Sequence, residues 1–378
     1  MYLHINKLLF FAQIYMHIDK IKINNFKNYI SCEVNFSEKI NFLYGKNGAG
    51  KTNLLDAIHY LSFGKSAINK FDNDNINHKN NFFSLEGCFS NNMIYRCTYE
   101  KPNSKKIFEN NKKYNQIKKH IGKIPVVFLS PYDINLIRNY STERRKFFDQ
   151  ILSQTSYKYL ENLLSYNRLL KQRNAYLKRI SNIEMIERDI IKSYDDKMIN
   201  LNKSIQDYRL KEIENFTKIF NKNSLKINDE DLKYRIEYFS NFSSNMDTSI
   251  YDQNFEKDFF TKKTNVGIHN DDYLFKMDKN LIKRSGSQGQ QKTFIISLKL
   301  SEFEILKNNL NIKPILLLDD VFHKLDDNKI DTLIEYLLDK KFSQIILSDS
   351  IDERLSLIKN KLIEPNVIRI NKGEVDER

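Results

Sequence analysis

Gly45-Lys46-Asn47-Gly48-Ala49-Gly50-Lys51-Thr52 is a complete G-x-x-x-x-G-K-T loop, and its reading decides the fold. Ile40-Asn41-Phe42-Leu43-Tyr44 runs straight into it, and Leu54, Leu55, Ile58 and Leu61 follow at helical spacing. Strand, glycine loop and helix in that order are the context a phosphate loop requires. Each residue type has a physical job. Backbone N–H groups from Gly45 to Gly50 wrap a β-phosphate, because glycine accepts left-handed turns and leaves room. The positive end of the following helix adds to that. Lys51 sets a point charge on the β and γ phosphates, and the Thr52 hydroxyl ligates Mg²⁺. ATP and Mg²⁺ are the expected cofactors.

Working outward, two distal stretches complete the site. Ser285-Gly286-Ser287-Gln288-Gly289-Gln290-Gln291 precedes a helical run, Thr293 to Leu300. Pro314-Ile315-Leu316-Leu317-Leu318 ends in Asp319-Asp320, a short apolar run that reads as a buried parallel strand with acids at its carboxyl end. Asp319 is expected to hold Mg²⁺ through water, and Asp320 to orient or deprotonate the attacking water. Ser287 offers a hydroxyl, and Gly289, Gln290 and the helix N-terminus offer N–H groups, to a γ-phosphate. Its own phosphate loop is already filled, so that phosphate belongs to a second copy. Such a turn resembles the one with which ABC and SMC ATPases close over a partner's ATP. The expected fold is therefore α/β, an ABC/SMC-type P-loop ATPase head carrying an inserted, mainly α-helical arm. Lys51, Asp320 and Ser287 are the expected catalytic residues. Asp326 is expected along the same interface, and Asp349 or Ser350, ending the strand-like Ile345 to Leu347, as a γ-phosphate sensor.

The 378 residues suffice for two domains with a sizeable core. Lys plus Arg is 61 against 48 Asp plus Glu, a formal charge of +13 that favours a polyanionic partner. AT-rich codons would yield the same Asn-, Lys- and Ile-crowded composition, so charge alone does not decide. Cys32, Cys88 and Cys97 lack metal-site or disulfide spacing, which fits a reducing cytosol and a cytoplasmic location. No apolar run approaches the ~20 residues that span a bilayer, so no membrane partner is expected. Leu8-Leu9-Phe10-Phe11-Ala12 is too short for a signal-peptide core.

Strand-like alternation begins after Met16, so residues 1–15 read as an extension, disordered or preceding the functional start. Residues 101–123 hold eight lysines against Glu109 alone, the densest basic stretch, readable as a solvated hairpin or as a phosphate-contacting face. Ser141 or Thr142 caps a helix opening at Glu143-Arg144-Arg145. Phe148, Ile151, Leu152, Leu160, Leu163, Leu164 and Leu170 form one apolar helical face, and Met185 to Tyr208 a second. Leu232, Tyr234, Ile236 and Tyr238 alternate as a strand, and Asn241 to Thr264 reads as loop. The division expected is a head of 16–135 plus 262–378 and an arm of 136–261.

At this point the chain resembles the RecF family of bacterial recombination-mediator ATPases. The matching stretches are Asn25-Phe26-Lys27-Asn28-Tyr29, Leu129-Ser130-Pro131-Tyr132-Asp133, Glu143-Arg144-Arg145-Lys146-Phe147 and Leu169-Leu170-Lys171-Gln172-Arg173-Asn174-Ala175, with Gly286 to Thr293 and Leu317 to Phe322. The Leu-Lys-Gln-Arg-Asn run sets it apart from general SMC relatives. Departures are Gly267-Ile268-His269-Asn270-Asp271-Asp272, which lacks the family's proline and arginine, Tyr132 in place of an acid, and lysine for arginine at 27 and 292. The missing arginine implies reduced DNA or nucleotide affinity, and His269 reads as structural. The resemblance implies that Lys27 joins the nucleotide-binding residues. It also implies ATP-dependent dimerisation on gapped, single- or double-stranded DNA and weak, DNA-stimulated ATP hydrolysis. Work with RecR, sometimes RecO, to load recombinase at single-strand gaps follows, as do replication-fork maintenance and the SOS response.

Three other classes compete, one of them a structural or regulatory protein with a dead site, against which intact Lys51, Thr52, Asp319, Asp320 and Ser287 argue. A transporter ATPase subunit needs a membrane partner and rarely carries so long a helical insert. A break-repair SMC-like ATPase needs hundreds of coiled-coil residues, where only 232 residues separate Thr52 from Ser285.

Overall fold

A computed structural model describes residues 14–377, apart from 91, 103, 228–232, 339–341, 351–355 and 357–364. Its centre is the helix Lys51–Phe63, buried along almost its whole length between two sheets, with Asp56, His59 and Ser62 among its buried residues. One sheet runs in the order Glu374–Glu377, Asn366–Asn371, Ile40–Tyr44, Gln344–Asp349, Ile315–Asp319, Val126–Leu129. Its strands pair in parallel except at the Glu374–Glu377 edge. The other is antiparallel, in the order Tyr29–Asn35, Ile18–Phe26, Phe82–Phe89, Ile94–Glu100, Ser104–Glu109, Lys112–Lys113.

The two-residue period of a strand explains how the parallel sheet feeds two cores. Ile315 and Leu317 point to the central helix, packing with Leu43, Leu55, Ile58, Ile346 and, beyond, Leu85 of the antiparallel sheet. Leu316 and Leu318 point the other way, into a core with Phe42, Leu347 and the helix Gln288–Leu310 through Phe294 and Leu298. Phe148, Phe216 and Phe220, from the region expected to be the arm, belong to that same core.

The arm helices differ from their sequence reading in three ways. The single apolar face from Phe148 to Leu170 is two helices, Ser141–Thr155 and Tyr157–Arg179, because Ser156 turns extended and caps the second by accepting from the Tyr159 N–H. The next helix begins at Arg188, and Met185 sits exposed in a short turn before it. It continues to Ile227, 40 residues and on the order of 60 Å at 1.5 Å per residue. The stretch read as loop holds two helices, Ser249–Gln253 and Phe255–Thr261. They form because Tyr251, Phe255 and Phe259, four residues apart, bury one face against Leu177 and Ile191 or their neighbours.

Two buried arginines pin this region. Arg173 is 0% exposed and donates to Asp195 at 2.7 Å, Asp258 at 2.7 Å and Thr264 at 3.0 Å. Arg209 donates to Asp149 at 2.8 Å, to the Ile268 carbonyl at 2.8 Å and to Asp271. Burying a guanidinium costs several kcal/mol unless carboxylates surround it, and each arginine has two. A three-stranded sheet pairs Tyr234–Phe239, from the region expected to be the arm, with Asp272–Met277 and Asn280–Leu281, from the region expected to be the head. Most of the expected N-terminal extension lies outside the described residues. Of its last two, Ile14–Tyr15 pairs in parallel with Ile312–Lys313.

Candidate functional site

The strand Ile40–Tyr44 delivers the loop, and glycine is required at two places in it. A Cβ at Gly45 would run into the Ile370 carbonyl of the adjacent strand. Gly50 sits at φ 123°, a conformation side chains rarely adopt, with the Asn28 amide and the Tyr29 hydroxyl close above it. Those two hold the loop in place. Asn28 donates to the Ala49 carbonyl at 3.2 Å, Tyr29 to the Gly50 carbonyl at 3.0 Å, and Asn53 to Asn28 at 2.7 Å. The Asn25-to-Tyr29 stretch is thereby the outer brace of the phosphate loop.

Lys51 folds back over its own loop, its ammonium donating to the Gly45 and Lys46 carbonyls at 2.6 and 3.0 Å. Burial lowers its pKa, opposed by the nearby Asp319, Asp349 and Asp320. The Thr52 hydroxyl donates to Asp319 Oδ2 at 2.8 Å, and the Ser348 hydroxyl to Asp319 Oδ1 at 2.6 Å. Burial raises the Asp319 carboxyl, and these two hydrogen bonds pull it back down. Asp320 stands just past the strand at φ 49° with its N–H on the Ser348 carbonyl. That left-handed residue swings its side chain out of the strand's alternation, so Asp319 and Asp320 both line one cavity.

The cavity measures about 590 Å³. It brings together Lys27, Asn47, Gly48, Gly50, Lys51, Thr52, Asp319 and Asp320 of the expected set, with Asp349 and Ser350. The donor set suits Mg²⁺ with a polyphosphate: one hydroxyl and carboxylate oxygens beside a lysine and loop N–H groups. Among the described residues no cluster of three His, Cys, Asp or Glu could hold a metal alone, and a Mg²⁺ shared with phosphates needs none.

Lys27 reaches the cavity but is tied, its ammonium 2.6 Å from the fully buried Asp56. Asp56 in turn accepts from Ser66 and the Ala67 N–H, at 2.6 and 2.7 Å. The wall opposite the phosphate loop, with Asn69, Asp74, Asn77 and His78, escaped the sequence reading. It lies in an irregular polar stretch with no motif, and tertiary links bring it in: the Lys27 N–H donates to the Asn75 carbonyl, the Asn77 N–H to the Asn25 carbonyl and the Asn77 side chain to the Lys27 carbonyl, each at 2.8 Å. Ser348 was also missed; its register opposite Asp319 in the sheet is the signal.

Ser287, Gly289 and Gln290 are not in this cavity. Ser287 is the exposed N-cap of Gln288–Leu310, in a reciprocal box where its hydroxyl accepts from the Gln290 N–H and its N–H donates to the Gln290 side chain. Asp326 caps the helix Asp327–Leu338 through the Lys329 N–H at 2.9 Å.

The basic stretch forms the strands Ser104–Glu109 and Lys112–Lys113 with flanking turns. Lys105 pairs with Asp72 at 2.7 Å, Lys118 with Glu161 at 2.6 Å and Lys123 with Glu109 at 3.8 Å. Among the described residues, Lys101, Lys106, Lys112, Lys113 and Lys119 have no carboxylate within 4.0 Å. The Gly267-to-Asp272 element is structural. His269 bonds Tyr166 at 2.6 Å and the Thr264 carbonyl at 2.9 Å, Asp271 receives Arg209, Tyr238 and Ser240, and Asp272 pairs with Arg144. Among the described residues no helix is long and apolar enough to cross a membrane.

Residues 17–364 match the family described as RecF/RecN/SMC N terminal domain. A protein of Cytophaga hutchinsonii described as DNA replication and repair protein RecF is 37% identical over 365 residues, 96% of this chain and 97% of the relative. One of Flavobacterium johnsoniae with the same description is 38% identical over 346 residues, 91% and 96% of the two chains. Among solved structures, the recombination mediator RecF with ATP, in the RecFOR pathway, superposes with TM-score 0.86 at 28% identity, covering 96% of this chain and 98% of that one. An Smc head domain from Pyrococcus furiosus superposes with TM-score 0.54 at 15% identity, covering 96% and 95%, and shows the ABC/SMC-type head fold alone.

Proposed function

This chain belongs to the RecF family, and on that premise we propose that it is an ATP-gated, DNA-binding dimer of recombinational repair. It is a DNA replication and repair protein that binds ATP. The observation that carries the finer reading is the separation of two halves of one site. The phosphate cavity is lined by Lys51, Thr52, Asp319 and Asp320, while Ser287, the exposed N-cap of its helix, is not part of that lining. A serine hydroxyl and unspent N–H groups on an exposed helix start suit a γ-phosphate brought by a second copy.

In this reading, Lys51 exchanges the Gly45 and Lys46 carbonyls for β and γ phosphate oxygens, and Lys27 adds a second cation. Thr52 and Asp319 would hold Mg²⁺, which when bound neutralises phosphate charge. Asp320 orients or deprotonates water. Ser287, with Gly289 and Gln290, meets the phosphate from across the two-fold axis. Residues 136–261 act as the arm on a head of 16–135 plus 262–378. The lysines of 101–123 that lack a carboxylate partner give DNA a sequence-independent hold. Hydrolysis is slow and serves as a switch, and RecR, with RecO in some systems, takes over at single-strand gaps in the cytoplasm. ATP titration followed by sedimentation with ATP or ADP, with and without gapped DNA, tests it. A protein monomeric in both nucleotides, with DNA present, would overturn the shared-site reading.

A further inference from the structure

The three-stranded sheet reaches the exposed signature turn along the chain, from Asn280–Leu281 through Ile282–Ser285, and also through one side chain of its far strand. Tyr234, 4% exposed, donates its hydroxyl to the Gln290 carbonyl at 3.1 Å. Gln290 is the residue whose side chain and N–H close the capping box with Ser287. One helical turn on, Phe294 is enclosed by three rings. Tyr234 lies 5.2 Å away, edge-on, Phe275 of the paired strand 5.0 Å away, and Phe220 of the long arm helix 4.9 Å away. The neighbouring Gln291 is held on its own side, donating to the Gly286 carbonyl at 2.9 Å and accepting from Arg138 at 3.3 Å. Ser287 itself is outside this packing; its direction is set on one side by Gly286, whose N–H donates to the Ile282 carbonyl at 3.0 Å, and on the other by the groups that hold residues 290 and 291.

We propose that Tyr234 is a positioning residue for the shared nucleotide site. Its hydroxyl takes the second lone pair of the Gln290 carbonyl, the first being the helix's own acceptor position. That fixes the tilt of the helix start, and with it the direction in which the Ser287 hydroxyl and the Gly289 N–H face a second copy's γ-phosphate. Donors aimed at a phosphate lose effect steeply with misdirection, and the hydroxyl acts on that aim without touching the nucleotide. Through Tyr234, the strand Tyr234–Phe239 and the arm helix against which it packs share in the attitude of the signature. This inference rests on the reading that Ser287 closes over a partner's ATP.

Tyr234→Phe tests it, since it keeps the ring against Phe294 and removes only the hydroxyl. Tyr238→Phe is the control: the same strand and the same group removed, but a hydroxyl that serves Asp271 instead of the signature. ATP affinity of the monomer and dimerisation with ATP are measured separately, by equilibrium titration at low protein concentration and by sedimentation across a concentration series. The expected result for Tyr234→Phe is an unchanged ATP affinity and a dimer weakened about tenfold, since the missing bond counts at both sites of the two-fold. Tyr238→Phe should dimerise like wild type at temperatures where both variants are folded. Wild-type dimerisation by Tyr234→Phe, or equal weakening by the two variants, overturns the inference while leaving the shared site intact. A wild-type protein that stays monomeric with ATP, with gapped DNA present as well as absent, and with Ser287→Arg unchanged from it, overturns the shared-site reading instead.

Discussion

Thr52 and Asp319, 267 residues apart in sequence, meet in a 2.8 Å hydrogen bond at the floor of the cavity. The pair joins the helix of the phosphate loop to the end of the acidic strand, and Ser348 locks the other carboxylate oxygen from the next strand. Three elements thus converge on the Asp319 carboxylate, where the proposed Mg²⁺ and phosphate would sit.

The ammonium beside them carries the first prediction. Lys51 spends its donors on the Gly45 and Lys46 carbonyls, bonds it can trade for phosphate oxygens. Lys51→Ala removes charge-assisted bonds worth about 1.5–3 kcal/mol each, so ATP affinity should fall by at least about tenfold while the fold persists. Isothermal titration with circular dichroism on the same sample checks both halves. Unchanged ATP affinity would remove Lys51 from the site.

This much of the site was legible because phosphate chemistry demands particular residues at short fixed spacing. Gly45 to Thr52 and the Asp319-Asp320 pair are local signals, and residues of both line the cavity. The same holds for the strands Ile315–Asp319 and Gln344–Asp349, which are short apolar runs ending in polar groups. What stayed hidden depends on tertiary partners. The wall from Asn69 to His78 has no motif, and Asp56 looks like an ordinary helical acid until Lys27 lands on it. Ser156 interrupts an unbroken apolar period, and the helices at 249–261 are amphipathic only once Leu177 and Ile191 supply a core for them. Arg173 stands in sequence as part of a family-marking run; its job is burial among carboxylates from two other segments.

Stability should depend on pH through buried imidazoles. His59 is 4% exposed, stacked on Phe63, and burial holds it down to about 4 from an ordinary 6.5, with Asp56 opposing. His269 is likewise held down to about 4 by burial. Between those pH values the unfolded chain binds more protons than the folded one, so stability rises with pH. Going from pH 6.5 toward 4, each histidine should therefore remove up to about 3 kcal/mol, at about 1.4 kcal/mol per pH unit. Urea midpoints for wild type and His59→Gln across this window check it. The variant should start less stable at pH 7 and lose less on acidification; parallel curves would refute the assignment.

The lysine hairpin makes a different kind of claim. Lys106, Lys112 and Lys113 lack carboxylate partners among the described residues, so their charge is available to phosphates. Changing all three to Gln should weaken binding to every DNA sequence alike. The slope of log affinity against log salt should flatten by about 0.9 for each duplex phosphate no longer neutralised. Fluorescence anisotropy from 50 to 200 mM salt, on the order of the range where such terms dominate, would reveal this. Full affinity with an unchanged slope would make the hairpin a solvated edge.

The proposed gating sets Ser287 and Asp320 against each other. Ser287 is exposed, and among the described residues its hydroxyl is engaged by the Gln290 N–H within its own cap, a bond of about 1 kcal/mol that a phosphate can replace. ATP should favour the dimer and ADP the monomer, because only ATP supplies the group that bridges the halves. Ser287→Arg fills the γ-phosphate seat with a bulky cation. It should keep ATP binding by the single chain, whose cavity it does not line, and abolish ATP-driven dimerisation. Asp320→Asn should act in the opposite direction. Its left-handed backbone is one that asparagine adopts readily, so the fold should be unaffected, and Asp319 with its Thr52 and Ser348 bonds is retained. Hydrolysis should then slow by about 100-fold, within the range for removing a positioned base, and the ATP dimer should outlast that of wild type. Sedimentation velocity of both variants after timed incubation with ATP reads the two effects on one axis. If Asp320→Asn dissociates as quickly as wild type, dimer lifetime is not set by hydrolysis and Asp320 is not the residue that times it.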